Sequence, residues 1–231
     1  MATPPSRERI LDRAERLFAQ LGYHGTSLRE VARACGVRQS LVQYHFGSKE
    51  VLFRAVFERR VLPLNHERMA RLDALETAAR DGALEARQVV RALVEPIVLL
   101  ARHGRDGAEL YPQLVAQILN DPQPHARRIS QEFNDPVARS TIRALRRALP
   151  EMPPEDLAWC YIFAVGAMVS AVAGTGRVRD LSAGRCDPDD VERIVALLVP
   201  FIAGGMRAAM AERSRKSAAK PRRRARLARA A

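Results

Sequence analysis

The sequence predicts an all-α protein built as two helical parts with a basic tail, and three observations predict it. Apolar residues recur at helical spacing along nearly the whole chain, and no segment of real length alternates with period two. Glycine and proline interrupt that pattern at intervals suited to helices joined by short turns. Charge is unevenly spread: residues 1–60 hold 11 basic against 6 acidic residues, residues 61–211 hold 18 against 19, and residues 212–231 hold 9 against 1. The middle is close to neutral, so the excess behind the formal charge of +12 lies at the two ends, where a polyanion could be gripped.

Each element follows from its own signals. Ile10, Leu11, Ala14, Leu17, Phe18 and Leu21 keep the i, i+3, i+4, i+7 spacing of one amphipathic helix, which Gly22 is expected to end. Ser27 and Glu30 have capping-box spacing ahead of Val31 and Ala32, opening a short second helix that stops at Cys35-Gly36, where glycine allows positive φ. A third short helix runs from Val37 through Phe46. Gly47-Ser48-Lys49-Glu50 then caps a long fourth helix, which Pro63 is expected to kink or split and Arg80-Asp81-Gly82 to end. Further helices are expected at 85–102, 107–120, 123–149, 154–175 and 188–210, with Pro96, Pro112, Pro136 and Pro200 bending or breaking some of them. From Arg213 the composition falls to Arg, Lys, Ala and Ser with a lone Pro and Leu, which cannot bury a core and is expected to be disordered. The expected units are 1–50, 51–211 and a tail at 212–231.

Several function classes are excluded at this level. Cys35, Cys160 and Cys186 lack CxxC spacing and read as ordinary thiols of a reducing compartment. The N-terminus has no apolar h-region or cleavage site, so a cytoplasmic location is expected. His24, His45, His66, His103 and His125 are scattered without HExxH spacing, and neither a phosphate loop nor a nucleophile motif occurs. Enzymatic turnover is not expected, and neither is a cofactor or a metal. Leu157 to Gly176 runs 20 residues without a charge, the threshold for a membrane span. Half of the run is Ala, Gly, Ser or Thr, and a helix apolar all round is equally expected where one side meets its own core and the other a partner subunit, so no membrane association is expected.

A short helix, a glycine turn and a second short helix form the unit that lays its second helix in the DNA major groove. Residues 7–56, RERILDRAERLFAQLGYHGTSLREVARACGVRQSLVQYHFGSKEVLFRAV, resemble the DNA-binding domain of the TetR family of bacterial regulators. The resemblance rests on Leu17-Phe18 with Gly22, Gly25-Thr26-Ser27, Val31-Ala32 with Gly36-Val37, and Tyr44-His45-Phe46 followed by Ser48-Lys49-Glu50. It implies that residues 39–45 are the recognition helix. The amides of Gln39 and Gln43 suit base edges, and Leu41 suits a thymine methyl. Tyr44 and Lys49 match family positions that hold phosphates, and Lys49 also lies in a first helical turn with free N–H groups. Thr26 and Ser27 sit at another such turn, where capping and phosphate contact can coexist. Arg38 departs from the family, which commonly has a small polar cap there; it is kept as a phosphate or guanine contact. His45 and Phe46 are expected to pack the short helices together.

In this family the second domain encloses a ligand pocket. Tyr111, Phe133, Trp159 and Phe163 are the candidate lining residues here, with Tyr161 and Met168 also large side chains on helical faces. GAELYPQLVAQILNDP, ALRRALPEMPPEDLAW and AGRCDPDD are similar to a subset of the family, some of whose members govern fatty-acid metabolism, which implies a largely apolar, acyl-chain-like effector. Leu157–Gly176 and Ile194–Met206 are both uncharged and need cover on more than one face, which a homodimer would supply as a four-helix bundle. Gly166, Ser170, Ala173, Leu198 and Ile202 are the expected interface residues. Such a dimer suits a palindromic double-stranded DNA operator. The expected function is a repressor released by its effector; a constitutive or architectural DNA-binding protein is the alternative.

Overall fold

The computed structural model describes residues 7–79, 82, 84–174 and 176–228, without the side chains of residue 214 and residues 216–228. No strand occurs among the described residues. The helices are α1 (Arg7–Gly25), α2 (Leu28–Cys35), α3 (Gln39–Phe46), α4 (Lys49–Ala79), α5 (Ala86–His103), α6 (Tyr111–Asn120), α7 (Pro124–Ile129), α8 (Asp135–Ala148), α9 (Pro154–Val172), α10 (Arg177–Leu181) and α11 (Val191–Ala228).

The head of the molecule forms as its local signals dictate. Gly22 (φ 76°, ψ 172°) breaks the helical path of α1 near its end, where the sequence expected the stop. The Ser27 capping box closes in both directions: Ser27 Oγ accepts from Glu30 N at 3.2 Å, and Ser27 N donates to Glu30 Oε2 at 2.8 Å. Gly36 ends α2 in the left-handed region (φ 70°, ψ 33°), a conformation that costs a side-chain-bearing residue energy. Ile10, Phe18, Val31, Val42, Phe46, Leu52 and Phe53 are buried together, tying α1–α3 to the start of α4. Each such side chain contributes about 1.5–3 kcal/mol by leaving water.

α4 carries the chain from the head into the second domain without interruption. Pro63 lies inside it, so the expected split does not occur; Val61 and Leu64 on either side are buried, and their packing holds helical geometry across the missing N–H. α4 ends at Ala79, and the expected stop at Arg80-Asp81 lies outside the described residues. Pro112 and Pro136 start helices rather than bend them, each in the first turn where a missing N–H is harmless. A π-helical turn, Ser130–Asn134, separates α7 from α8, and a 3-10 turn, Ala108–Leu110, precedes α6. The loop expected between Gly176 and Pro188 contains the short helix α10.

The backbone of α11 continues through Ala228, and Arg213 pairs with Asp156 at 2.6 Å. Two further expectations are corrected. Trp159 and Phe163 are 62% and 65% exposed, stacked on each other on the outside of α9 instead of lining the interior. Ile202 is buried within its own subunit, and its neighbour Phe201 takes the exposed position. In both helices the apolar residues run all round, so periodicity does not say which face turns inward.

Candidate functional site

α3 presents a polar face outward from a packed base. Val42 and Phe46 are buried beneath it, and Leu41 and His45 are half-buried. Arg38, Gln39, Gln43 and Tyr44 are exposed, Tyr44 by 84%. Arg38 occupies the N-cap position of α3 without a side-chain capping bond, so its guanidinium is spared for an external acceptor. A helix anchored by one apolar face and carrying amide, guanidinium and phenol groups on the other has the donors and acceptors that base edges and phosphates require.

Thr26, Ser27 and Lys49 are more committed to the protein than the sequence suggested. Thr26 is buried, and its hydroxyl donates to Gly22 O at 2.9 Å. Ser27 is held by Glu30, whose carboxyl stays below its ordinary range because the Ser27 hydroxyl and N–H donate to it. Lys49 Nζ donates to Tyr23 O at 3.0 Å and lies 4.2 Å from the centre of the Tyr23 ring. An ammonium has three donors, so Lys49 can still meet a phosphate while closing the end of α1.

The head is fastened to the second domain by polar contacts that sequence spacing does not reveal. Glu15 is 1% exposed, and its carboxylate accepts from Arg60 at 2.7 and 2.8 Å and from Arg59. Arg59 also pairs with Asp12 at 2.7 Å, and Arg60 donates to Asp106 O. Gln117 Nε2 donates to both Phe18 O and Ala19 O at 3.1 Å. Arg128 pairs with Glu50 at 2.6 Å, and Arg54 with Glu132 in the π turn. His24 and His125 both meet Asp121 Oδ2, at 3.1 and 3.3 Å, while the Tyr23 ring stacks on His125 with centroids 3.9 Å apart. The Gln123 N–H holds the Asp121 carboxyl below its usual range, and burial pushes the His125 imidazole down. These two histidines, scattered in the sequence, form with Asp121 a donor set of the kind that divalent metals accept, all within 4.8 Å of one another.

Of the expected pocket residues, Tyr111 and Phe133 are buried and both pack on Phe57, with ring centroids 5.2 and 6.0 Å from it. Trp159 and Phe163 instead belong to an outer apolar surface. On α9 that surface is continued by exposed Ile162, Gly166 and Ser170, with Ala173 half-buried at its end. On α11 it is formed by exposed Leu197 and Phe201 with half-buried Leu198. Two open cavities lie along it, of about 420 Å³ beside Trp159, Phe163 and Met210 and about 850 Å³ beside Ser170, Leu197 and Phe201. Both helices are long and apolar enough to cross a membrane by length and composition.

An all-α chain with a helix-turn-helix head, an outward polar recognition helix and a larger helical domain joined to it through α4 has the architecture of a DNA-binding regulator. The comparisons make this specific. The family profile described as "Bacterial regulatory proteins, tetR family" matches residues 10–56, and that described as "Tetracyclin repressor-like, C-terminal domain" matches residues 91–205. The chain belongs to the TetR family of transcriptional regulators, which are not enzymes. It is similar to the HTH-type transcriptional regulator UidR of Escherichia coli, with 27% identity over 119 residues, 52% of this chain and 55% of that protein. It is also similar to the HTH-type transcriptional repressor AcnR of Corynebacterium efficiens, with 37% identity over 90 residues, 39% of this chain and 41% of that one. The matched segments thus span about half the length of these curated relatives or less. Among solved structures, the fatty acid degradation regulator FadR of Bacillus halodurans shares the fold with a TM-score of 0.56 and 16% identity, covering 86% of this chain and 97% of its own.

Proposed function

We propose that this chain is a cytoplasmic repressor that holds an inverted-repeat operator as a homodimer and releases it when a small, largely apolar, acyl-like effector enters the second domain. The observation that carries the reading is the rigidly based, outward row Arg38, Gln39, Gln43 and Tyr44 on α3, with Lys49 beside it. AcnR is a repressor by name and FadR a fatty acid degradation regulator, which supports the sign of the response and the class of effector. The homodimer is supported by the uncovered apolar surface of α9 and α11, which a second copy would close into a four-helix bundle. The same need for cover accounts for their hydropathy without a membrane.

Binding measured by fluorescence anisotropy on a selected operator and on unrelated duplexes tests the reading. Lys49→Ala should weaken binding on every sequence, whereas Gln43→Ala should change the ranking of sequences, because phosphate contacts position and base contacts specify. Unchanged affinity of Lys49→Ala at several salt concentrations would remove Lys49 from the DNA face.

A further inference from the structure

The second domain contains a charge that the protein itself does not neutralise. Arg68, on α4, is only 7% exposed, yet no carboxylate of a described residue pairs with it. Its Nε donates to Leu93 O at 2.9 Å, its Nη1 reaches Asn65 Oδ1 at 3.5 Å and its Nη2 reaches Met168 Sδ at 3.5 Å. The last two contacts are long and the partners are neutral, one of them a weak sulfur acceptor. A buried ion left without a counter-ion costs several kcal/mol, and arginine cannot escape by giving up its proton. Burial lowers the Arg68 pKa, and among the described groups only the phenols of Tyr111 and Tyr161 lie in electrostatic reach to oppose it. Burial pushes the Tyr111 phenol well above its ordinary range, so at neutral pH it stays a hydroxyl with a proton to donate.

Around this guanidinium stand neutral groups from four elements, Asn65 on α4, Leu93 on α5, Tyr111 on α6 and Met168 and Tyr161 on α9. Asn65 accepts from Arg68 and donates through Nδ2 to Phe133 O at 2.7 Å, so the arginine is linked to the π-helical turn Ser130–Asn134. π turns of this kind recur at functional sites, and Glu132 of this one pairs with Arg54 on the head-proximal part of α4. Arg68 therefore touches α5 through Leu93 and α9 through Met168, and reaches the π turn through Asn65, while standing on the helix that leads to the DNA-binding head.

We infer that Arg68 is the anchor for an organic monocarboxylate, whose carboxylate pairs with the guanidinium beside Tyr111 and Tyr161 and whose apolar body lies among Leu93, Phe133 and Met168. This deepens the effector reading above and rests on it. A single cation calls for a single negative charge, and the apolar walls exclude a strongly hydrated, multiply charged ion. A carboxylate arriving at Arg68 replaces its long contacts to Asn65 and Met168, which frees the π turn and α9 to shift against α4 and with them the seat of the head.

The test uses the full chain, its operator, and saturated straight-chain carboxylates of graded length, each against its own methyl ester. Melting temperature and operator release are read together. In the wild type a carboxylate should bind at least about tenfold more tightly than its ester, as charge-assisted hydrogen bonds imply. In Arg68→Gln that preference should fall to about one, whatever the operator affinity without ligand, and Arg68→Lys should keep part of it. Arg68→Met serves as a control needing no ligand: it should melt above the wild type, since an uncompensated buried charge has been replaced by an apolar side chain. Sodium chloride and sodium phosphate titrated alone separate a bare ion from an organic acid, and equal stabilisation by either, lost in Arg68→Gln, would overturn the organic ligand. Absence of acid-over-ester preference in the wild type, or its persistence in Arg68→Gln, would overturn the assignment. Should esters release the operator equally from both proteins, the effector reading stands and the Arg68 assignment alone falls.

Discussion

Glu15 and Arg68 face the same physical problem and the protein answers it differently. Both are charged, both are almost wholly buried, and both sit where α4 meets a neighbour. Glu15 is met by two arginines and stitches α1 to α4 and to the turn at Asp106. Arg68 is met by a carbonyl, an amide oxygen and a sulfur. A charge satisfied inside its own subunit holds the fold together; a charge left unsatisfied there is one whose partner is expected from outside. The outer surfaces repeat the contrast. Val42 and Phe46 close the base of α3, whereas Gln39, Gln43 and Tyr44 face outward, and the apolar stripe of α9 is likewise exposed.

The contrast can be broken by mutation, starting with the largest effect. Glu15→Ala strands two arginines at the joint and should cost about 3–5 kcal/mol of unfolding free energy in denaturant melts. A loss below about 1 kcal/mol would mean that the joint does not depend on the cluster. Arg68→Met should move the other way and stabilise by about 1–4 kcal/mol in the same melts. If both substitutions destabilise alike, the distinction between the two charges is gone.

Gly166 sharpens the comparison at the outer surface. A Cβ at Gly166 meets nothing within 4 Å in its own subunit, so Gly166→Leu should leave the protomer helical and intact. Dissociation to monomers in light scattering would then report a partner pressed against that spot, and an undisturbed dimer would place the interface elsewhere. The smallest expected effect concerns the tail. Removing residues 213–231 should flatten the salt dependence of operator binding by about 0.9 in log–log slope for each phosphate lost, leaving the ranking of operators intact. Equal slopes would show that the tail does not touch DNA.

Much of the head was legible because its signals are local. Ser27 and Glu30 are three residues apart, Gly36 marks its turn by itself, and the spacing of Ile10, Ala14 and Phe18 shows the buried face of α1. The rest depended on contacts between distant residues. His24 and Asp121 are 97 positions apart, and Glu15 meets Arg60 across 45, so no spacing rule connects them. Trp159 and Ile202 were misplaced for another reason: on helices apolar on every side, hydrophobicity marks burial without saying whether the cover is the subunit's own core or a second chain. Arg68 carried no sequence signal at all, because an arginine on a helix is ordinarily a solvated one.

Selection of duplexes from a randomised pool by the full-length chain decides whether α3 reads DNA in a two-fold symmetric protein. The expected outcome is enrichment of an inverted repeat whose half-sites are centred about one helical turn or a multiple of it apart, with Gln43→Ala selecting a repeat altered at the same position of both halves. A pool that emerges without any enriched sequence, or an enriched site that Gln43→Ala selects unchanged, would contradict it.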